Sequence, residues 1–163
     1  MDKLFPTLSE GQIEELKSAL THITILVAGA DGEIDSQELN WAEKLTHIRS
    51  YSDANESLND FYTSVEGSFS ENLEKALKTM PSDRGQRENE ISTKLAGLNK
   101  ILLQLDNYTA YHLYVSYTSF AEHIAKASGG FLRFGSISRE EKKWIDLPMI
   151  DPIILETHEE ETE

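Results

Sequence analysis

The chain has 163 residues, a net charge of −14 and no cysteine. Without cysteine it can form neither disulfides nor thiolate metal sites, which favours a cytoplasmic setting. The acidic excess opposes binding to a phosphate backbone, and the longest apolar stretch, residues 23–30, is too short to span a bilayer. We therefore expect neither nucleic acid nor membrane insertion.

Apolar residues recur at steps of three and four through the first half of the chain, which is the period of an amphipathic helix. The first such stretch predicts a helix over about 9–29, and the second predicts a helix over 35–49 with Trp41 on its apolar stripe. Shorter stretches predict a third helix that ends before Gly67 and a fourth that Pro81 terminates.

The second half carries the clearest helical period. Residues 91–105 and 113–127 predict two long core helices, separated by a break near Asp106. The polar run before residue 91 is either a loop or a solvated first turn. A last helix begins at Arg139 and ends before Pro148, because proline disfavours helical dihedrals in the residue ahead of it.

The end of the chain is predicted to be irregular. The segment 149–155 contains Pro152 and is too short for another helix, so we expect it to run extended over the body. The acidic segment 156–163 is nearly free of apolar residues and is predicted to be disordered. The fold class is all-α, a single helical domain over 1–155 with about six or seven helices.

A helix-start motif occurs twice. The first copy reads Ile34-Asp35-Ser36-Gln37-Glu38 with Trp41, and the second reads Ile137-Ser138-Arg139-Glu140-Glu141 with Trp144. In each copy the cap residue and the glutamate three positions later have the spacing of a capping box, in which each side chain bonds the other residue's backbone amide. The motif predicts two pseudo-symmetric helix–turn–helix pairs, with both tryptophans in the core.

These residues also carry a family resemblance. The stretch 26–39, with its Ala-Asp-Gly turn before the first motif copy, resembles the tellurite-resistance TerB-like family and the TerB-like domain of J-domain co-chaperones. The resemblance implies an acidic helical bundle, a role in metal-stress response and a divalent cation at the acidic turn. Carried over by position, it points to Asp31 and Glu38, with Asp35 at the cap and Glu33 as a neighbouring acid.

Capping alone is the alternative explanation of the same acids. The turn is not an EF-hand, since Ser36 stands where that loop requires glycine and Ala42 where it requires a bidentate acid. In the second copy Ser128 replaces the aspartate, so any cation site belongs to the first copy only. Beyond a divalent cation, we expect no cofactor.

The second copy also carries six additional residues, which fall in the stretch 130–136. Phe131, Leu132 and Phe134 lie there between glycines, as the apolar side chains of a partner-binding loop would. The alternative is that they fold back on the core as a lid.

The functional prediction is a non-enzymatic binding or scaffold module of TerB-like type. No phosphate-binding loop, nucleophile elbow or His-Glu-x-x-His motif is present, so an enzyme is not expected. The alternative is a metal-free protein-interaction domain that uses the 129–136 loop or the acidic surface. The predicted partners are a protein of unknown identity and a second copy in a homodimer.

Overall fold

The computed structural model describes residues 5–30, 32, 34, 36–52, 55–127 and 139–156. Within them helices are the only regular secondary structure, so the predicted all-α class is confirmed. None of these helices has the length and apolar content that a bilayer crossing requires. In chain order they are α1 Glu10–Ala28, α2 Ser36–Ser52, α3 Glu56–Thr79, α4 Arg84–Ala96, α5 Leu98–Leu102, α6 Asn107–Ala127 and α7 Arg139–Lys142.

Helix α1 is the centre of the bundle. It begins with a capping box in which the Gln12 amide donates to Ser9 Oγ over 3.2 Å and the Ser9 amide donates to Gln12 Oε1 over 3.0 Å. It packs against α2, α3, α4, α5 and α6, and about half of its residues are buried. The predicted first helix is therefore confirmed.

Helix α3 continues through Gly67, and the predicted end of the third helix there was wrong. A Cβ on Gly67 would meet nothing within 4 Å, so this glycine is neither a cap nor a close approach. The buried stripe runs in register from Val65 to Phe69 and Leu73, so packing on both sides of the glycine keeps the helix intact. The predicted third and fourth helices are one.

The predicted helix over 91–105 is divided in the structure. Its first part, α4, starts earlier because Asp83 caps it, accepting from the Gln86 amide over 2.9 Å. The polar run before Ile91 is thus helical. Gly97 then separates α4 from the single turn of α5. Helix α6 follows as predicted, with Asp106 accepting from the Thr109 amide over 3.0 Å at its start.

Aromatic side chains fill the middle of the core. Tyr62, Tyr117 and Phe120 are fully buried, and the rings of Tyr62 and Phe120 stack with centroids 6.4 Å apart. The Tyr117 hydroxyl donates to the carbonyl of Leu16 over 2.7 Å, which fastens α6 to α1. Burial, with Tyr62 nearby, raises the pKa of Tyr117 well above its usual range, so its hydroxyl stays protonated and donating.

After α7 the chain forms a strap, residues 149–156, which lies across α5 and the start of α6. Two asparagines hold its backbone. Asn99 Nδ2 donates to the Met149 carbonyl over 3.1 Å, and its Oδ1 accepts from the Asp151 amide over 2.8 Å. Each side-chain amide therefore acts like one rung of a β-ladder. From Asp151 to Glu156 the segment has no regular secondary structure, and these bonds confirm that it is docked on the helices as predicted.

Asn107 repeats this arrangement further along the strap. Its Nδ2 donates to the Ile154 carbonyl over 2.9 Å, and its Oδ1 accepts from the Glu156 amide over 2.7 Å. Ile153 packs against the core, whereas the Ile154 side chain is 80% exposed. The end of the strap is thus fixed at the start of α6 with an apolar side chain facing outward.

Candidate binding groove

The predicted cation ligands are mostly outside the described residues. Asp31, Glu33 and Asp35 lie there, while Glu38 is in the first turn of α2 and is only 1% exposed. Its counterpart in the second copy, Glu141, is 4% exposed. Among the residues that the structure describes, no group of three histidine, aspartate or glutamate side chains is placed to hold a metal ion.

Two arginines of α4 contact the backbone at the acidic turn. Arg87 Nη2 donates to the Gly29 carbonyl over 3.2 Å, and Arg84 Nη1 donates to the Ala30 carbonyl over 3.3 Å. They donate to carbonyls just beyond the end of α1, where the Gly29 carbonyl also accepts from the Gly32 amide over 3.1 Å, and their positive charge complements the carboxyl end of the helix. The same charge lowers the affinity of this turn for a cation.

The predicted partner-binding residues of the inserted loop, Phe131, Leu132 and Phe134, also lie outside the described residues. In sequence, these residues come shortly after the end of α6. The undescribed segment begins directly after Ala127, the last residue of α6, and Ala127 is one of the residues that line the groove described next.

The two tryptophans of the duplicated motif have different surroundings. Trp144 is 9% exposed and its indole N–H donates to Glu88 Oε2 over 2.6 Å. Trp41 is only partly buried and does not belong to the core, so the prediction of a core role was wrong for Trp41 and right for Trp144. Its indole N–H has no hydrogen-bond partner among the described residues.

Trp41 lines a groove of about 540 Å³ between the start of α2 and the end of α6. Most of the exposed surface in the groove is apolar. The helices that form it belong to distant parts of the chain and are brought together because both pack on α1. The described lining residues are Gln37, Asn40, Trp41, Lys44, His123, Lys126 and Ala127.

The charged residues of the groove are cationic. Lys126 Nζ lies 3.0 Å from Glu122 Oε1 on the same helix, so its charge is partly neutralised. Lys44 is exposed and forms no ion pair with any residue that the structure describes. In a chain with a net charge of −14, an apolar groove flanked by lysines stands out from the rest of the surface.

His123 adds a polar group whose orientation is fixed. Its Nδ1 lies 2.7 Å from the Ser119 carbonyl, and because a carbonyl only accepts, Nδ1 carries the proton and donates. In the neutral ring, Nε2 is therefore the acceptor that a ligand in the groove can use. On protonation, both nitrogens become donors.

Arg49 is a further cation at the contact between α2 and α6, in addition to Lys44 and Lys126. Its Nη1 donates to the Tyr62 hydroxyl over 3.0 Å and to the Ser116 carbonyl over 2.9 Å, and its Nη2 donates to Ser119 Oγ over 2.8 Å. The guanidinium carbon also lies 5.5 Å from the centroid of Phe120. No acidic side chain among the described residues pairs with it, so its charge adds to the potential of the groove.

The sequence did not indicate this groove. Lys44, His123 and Lys126 are ordinary helix-surface residues by their spacing, and they come together only through the packing of α2 and α6. The one available signal was Trp41, because a tryptophan three positions after the capping glutamate has a conspicuous place in a motif. The motif predicts core packing for both tryptophans, and only Trp144 packs in the core.

Comparison with protein-family models, with curated proteins and with solved structures found no match to this chain. The TerB-like resemblance therefore rests on the motif residues alone.

Proposed function

We propose that this protein is a non-enzymatic docking module whose groove between α2 and α6 binds an acidic segment of a partner protein through one apolar anchor side chain. The observation that carries this proposal is Trp41, which is partly exposed in the groove and whose indole N–H has no hydrogen-bond partner within the described part of the chain. Tryptophan is the residue type most enriched among the side chains that dominate protein–protein affinity. Lys44 and Lys126 on either side select a partner of negative charge.

The two parts of such a ligand have different roles. Burying one isoleucine or leucine side chain contributes about 1.5–3 kcal/mol, whereas each exposed ion pair contributes less than about 1 kcal/mol. The anchor over Trp41 therefore supplies most of the affinity, and the lysines supply selectivity and a faster encounter. A docking site of this size gives a weak, exchanging complex.

The TerB-like resemblance supports a scaffold role in a stress response, which we keep as part of the proposal. We place docking at the groove and not a cation at Asp31, Glu33, Asp35 and Glu38, because Arg84 and Arg87 already supply positive charge at that turn. Docking through the inserted loop at 129–136 stays an alternative proposal, since this loop lies outside the described residues.

A synthetic acidic peptide with one central isoleucine tests the proposal. We expect it to change the emission of Trp41, with saturation at micromolar to millimolar peptide, while Trp144 stays silent because it is buried. The variant Trp41→Phe should lose the change, and Lys44→Glu should weaken binding about tenfold. A peptide with glutamine in place of every glutamate should bind more weakly.

The matched control is Lys75→Glu, which makes the same charge change on a face formed by α1, α3 and α4. If Lys75→Glu weakens peptide binding as much as Lys44→Glu does, the interaction reflects overall charge and the groove is not the site. An emission change that persists in Trp41→Phe would also show that the groove is not the binding site.

A further inference from the structure

A polar trough runs along one face of α1, between the second half of α3 and helix α4. It consists of two adjoining depressions, of about 400 Å³ and 470 Å³, and Ser18, His22 and Lys94 line both of them. Volumes in this range are typical of sites for small organic molecules. No described residue lines both the trough and the groove between α2 and α6, so the trough is a separate candidate site.

His22 lies where the two depressions meet. Its ring is partly buried, and neither nitrogen forms a hydrogen bond with any residue that the structure describes. Burial, with Lys94 nearby, lowers the pKa of His22 to about 4, so the ring is neutral at pH 7. Polar groups removed from water normally have a hydrogen-bond partner. A ligand with an acid group would supply one.

Lysines stand on both sides of His22, with Lys75 on α3 and Lys94 on α4. Neither lysine forms an ion pair within the described part of the chain, although Glu90 lies one helical turn before Lys94 on the same face of α4. Pairs at this spacing do form elsewhere on the surface. We call His22, Lys75 and Lys94 the cationic end of the trough, because they leave positive charge available to a ligand.

The opposite end of the trough is acidic. Glu15 precedes His22 by seven positions, so both lie on the same face of α1, about 10 Å apart along its axis. Glu15 is exposed and has no ion-pair partner among the described residues, whereas Glu14 Oε1 lies 3.0 Å from Lys17 Nζ. The apolar side chains that line this half are Ala19, Leu95 and Leu98.

We propose that the trough binds a small zwitterion, with its carboxylate at the cationic end, its ammonium group at Glu15 and an apolar chain between them. Amino acids whose amine is at the far end of the carbon chain have this form. A zwitterion suits this protein better than a simple anion does, since a molecule without net charge is not repelled by a chain of charge −14. Glu90 lines the cationic end and opposes the carboxylate of the ligand, so its removal should strengthen binding.

Calorimetric titration of the full chain with three probes tests the proposal. The probe 6-aminohexanoate carries both charges, whereas hexanoate and hexylamine each lack one. We expect 6-aminohexanoate to bind with a Kd of about 1 mM, which is usual for a molecule of about nine non-hydrogen atoms. Each singly charged probe should bind about three- to fivefold more weakly, because it loses one exposed ion pair.

Substitutions at the two ends should act on different probes. Lys94→Gln should weaken the binding of 6-aminohexanoate and hexanoate and leave hexylamine unchanged, whereas Glu15→Gln should weaken 6-aminohexanoate and hexylamine and leave hexanoate unchanged. Glu90→Gln should strengthen the binding of both carboxylates. The matched control is Lys78→Gln, which removes a lysine of α3 that pairs with Glu74 and does not line the trough. Circular dichroism checks that each variant is folded.

Proton NMR of the histidine rings locates the carboxylate of the ligand. Saturating 6-aminohexanoate should raise the pKa of His22 from about 4 toward 6.5, because a bound carboxylate favours the protonated ring. The pKa of His112, on α6, should not change. The charged residues that line the trough around His22 are Glu14, Glu15, Lys75, Glu90 and Lys94, and none of them changes its position in sequence or charge in this experiment.

The outcomes separate a built site from general charge effects. If Lys78→Gln weakens the carboxylates as much as Lys94→Gln does, overall charge explains the binding and the trough is not a site. Hexanoate or hexylamine binding as tightly as 6-aminohexanoate overturns the zwitterion assignment. The proposal is also refuted if 6-aminohexanoate at tens of millimolar gives no heat, or if it binds while the pKa of His22 stays at about 4.

Discussion

Gly29 ends α1 where no side chain fits. A Cβ at this position would lie 2.7 Å from Arg87 Nη2 and 3.0 Å from the Ile25 carbonyl. The constraint is one of space, since its φ of −97° is open to any residue. The close approach is what allows Arg87, itself buried, to bond the Gly29 carbonyl.

Substituting Gly29 should therefore destabilise the fold. We expect Gly29→Ala to lower the free energy of unfolding by about 1–3 kcal/mol, because the methyl group displaces a buried guanidinium from its acceptor. Gly67→Ala is the matched control, since that glycine is inside α3 with open space around it, and it should raise stability by up to about 1 kcal/mol. Urea denaturation followed by circular dichroism measures both. Equal effects of the two substitutions would contradict the steric argument.

For single residues, the sequence predicts roles that depend on neighbours in the chain, such as helix capping. It does not predict roles that depend on a residue far away in sequence. A cap of the first helix at Thr7 or Ser9 follows from side-chain type and from the start of an apolar stripe, and so does the break near Asp106. The different fates of Trp41 and Trp144 do not, because the acceptor of Trp144 is Glu88 of α4, which its own motif does not contain. Because the two motif copies are alike in sequence, they predict the same burial for Trp41 and Trp144.

For the helices and the strap, the sequence likewise predicts features that depend on nearby residues and fails where distant contacts decide. Their periodicity predicted α1 and α6 correctly because each buries one continuous stripe. The structure ends a helix at Gly97, where the sequence predicted continuation, and continues one through Gly67, where the sequence predicted an end. The buried apolar stripe crosses both glycines, so periodicity did not distinguish them. The two asparagines that hold the strap had no sequence signal, since their partners are backbone groups about fifty positions away.

The strap is held by side-chain amides in which the nitrogen donates one hydrogen bond and the oxygen accepts another. In Asn99→Asp the donor to the Met149 carbonyl becomes an acceptor, so one bond is replaced by repulsion and we expect a loss of about 1–3 kcal/mol. Hydrogen exchange at the Asp151 amide should become faster. The control Asn72→Asp alters only an exposed bond to Ser68 at 3.4 Å and should change little. Unchanged exchange in Asn99→Asp would show that the bond to the Met149 carbonyl is not needed to hold the strap.

For the molecule as a whole, His22 links stability to pH. Burial, with Lys94 nearby, lowers the pKa of His22 from 6.5 to about 4. The folded state thus keeps His22 neutral while the unfolded state binds a proton below pH 6.5. This contribution to stability is complete above pH 6.5 and is lost as the pH falls toward 4, with an upper limit of about 3 kcal/mol.

The variant His22→Gln should remove most of this dependence. We expect the urea midpoint of the natural sequence to fall between pH 6.5 and 4.5, and the midpoint of His22→Gln to fall less steeply over the same range. Protonation of carboxylates at lower pH relieves self-repulsion in a chain of charge −14, so comparison with His112→Gln isolates the contribution of His22. Parallel curves for all three proteins would contradict the assignment.

The strap has a consequence for how this sequence can change during evolution. Asn99 and Asn107 bind only backbone groups, so they do not select the side chains of the strap. Proline is excluded where an amide must donate, at 151 and 156, but Pro152 fits because nothing requires its N–H. The outward-facing position 154 is consequently free to vary without altering the path of the chain. A single substitution there changes the exposed surface of the strap while the helical body stays the same.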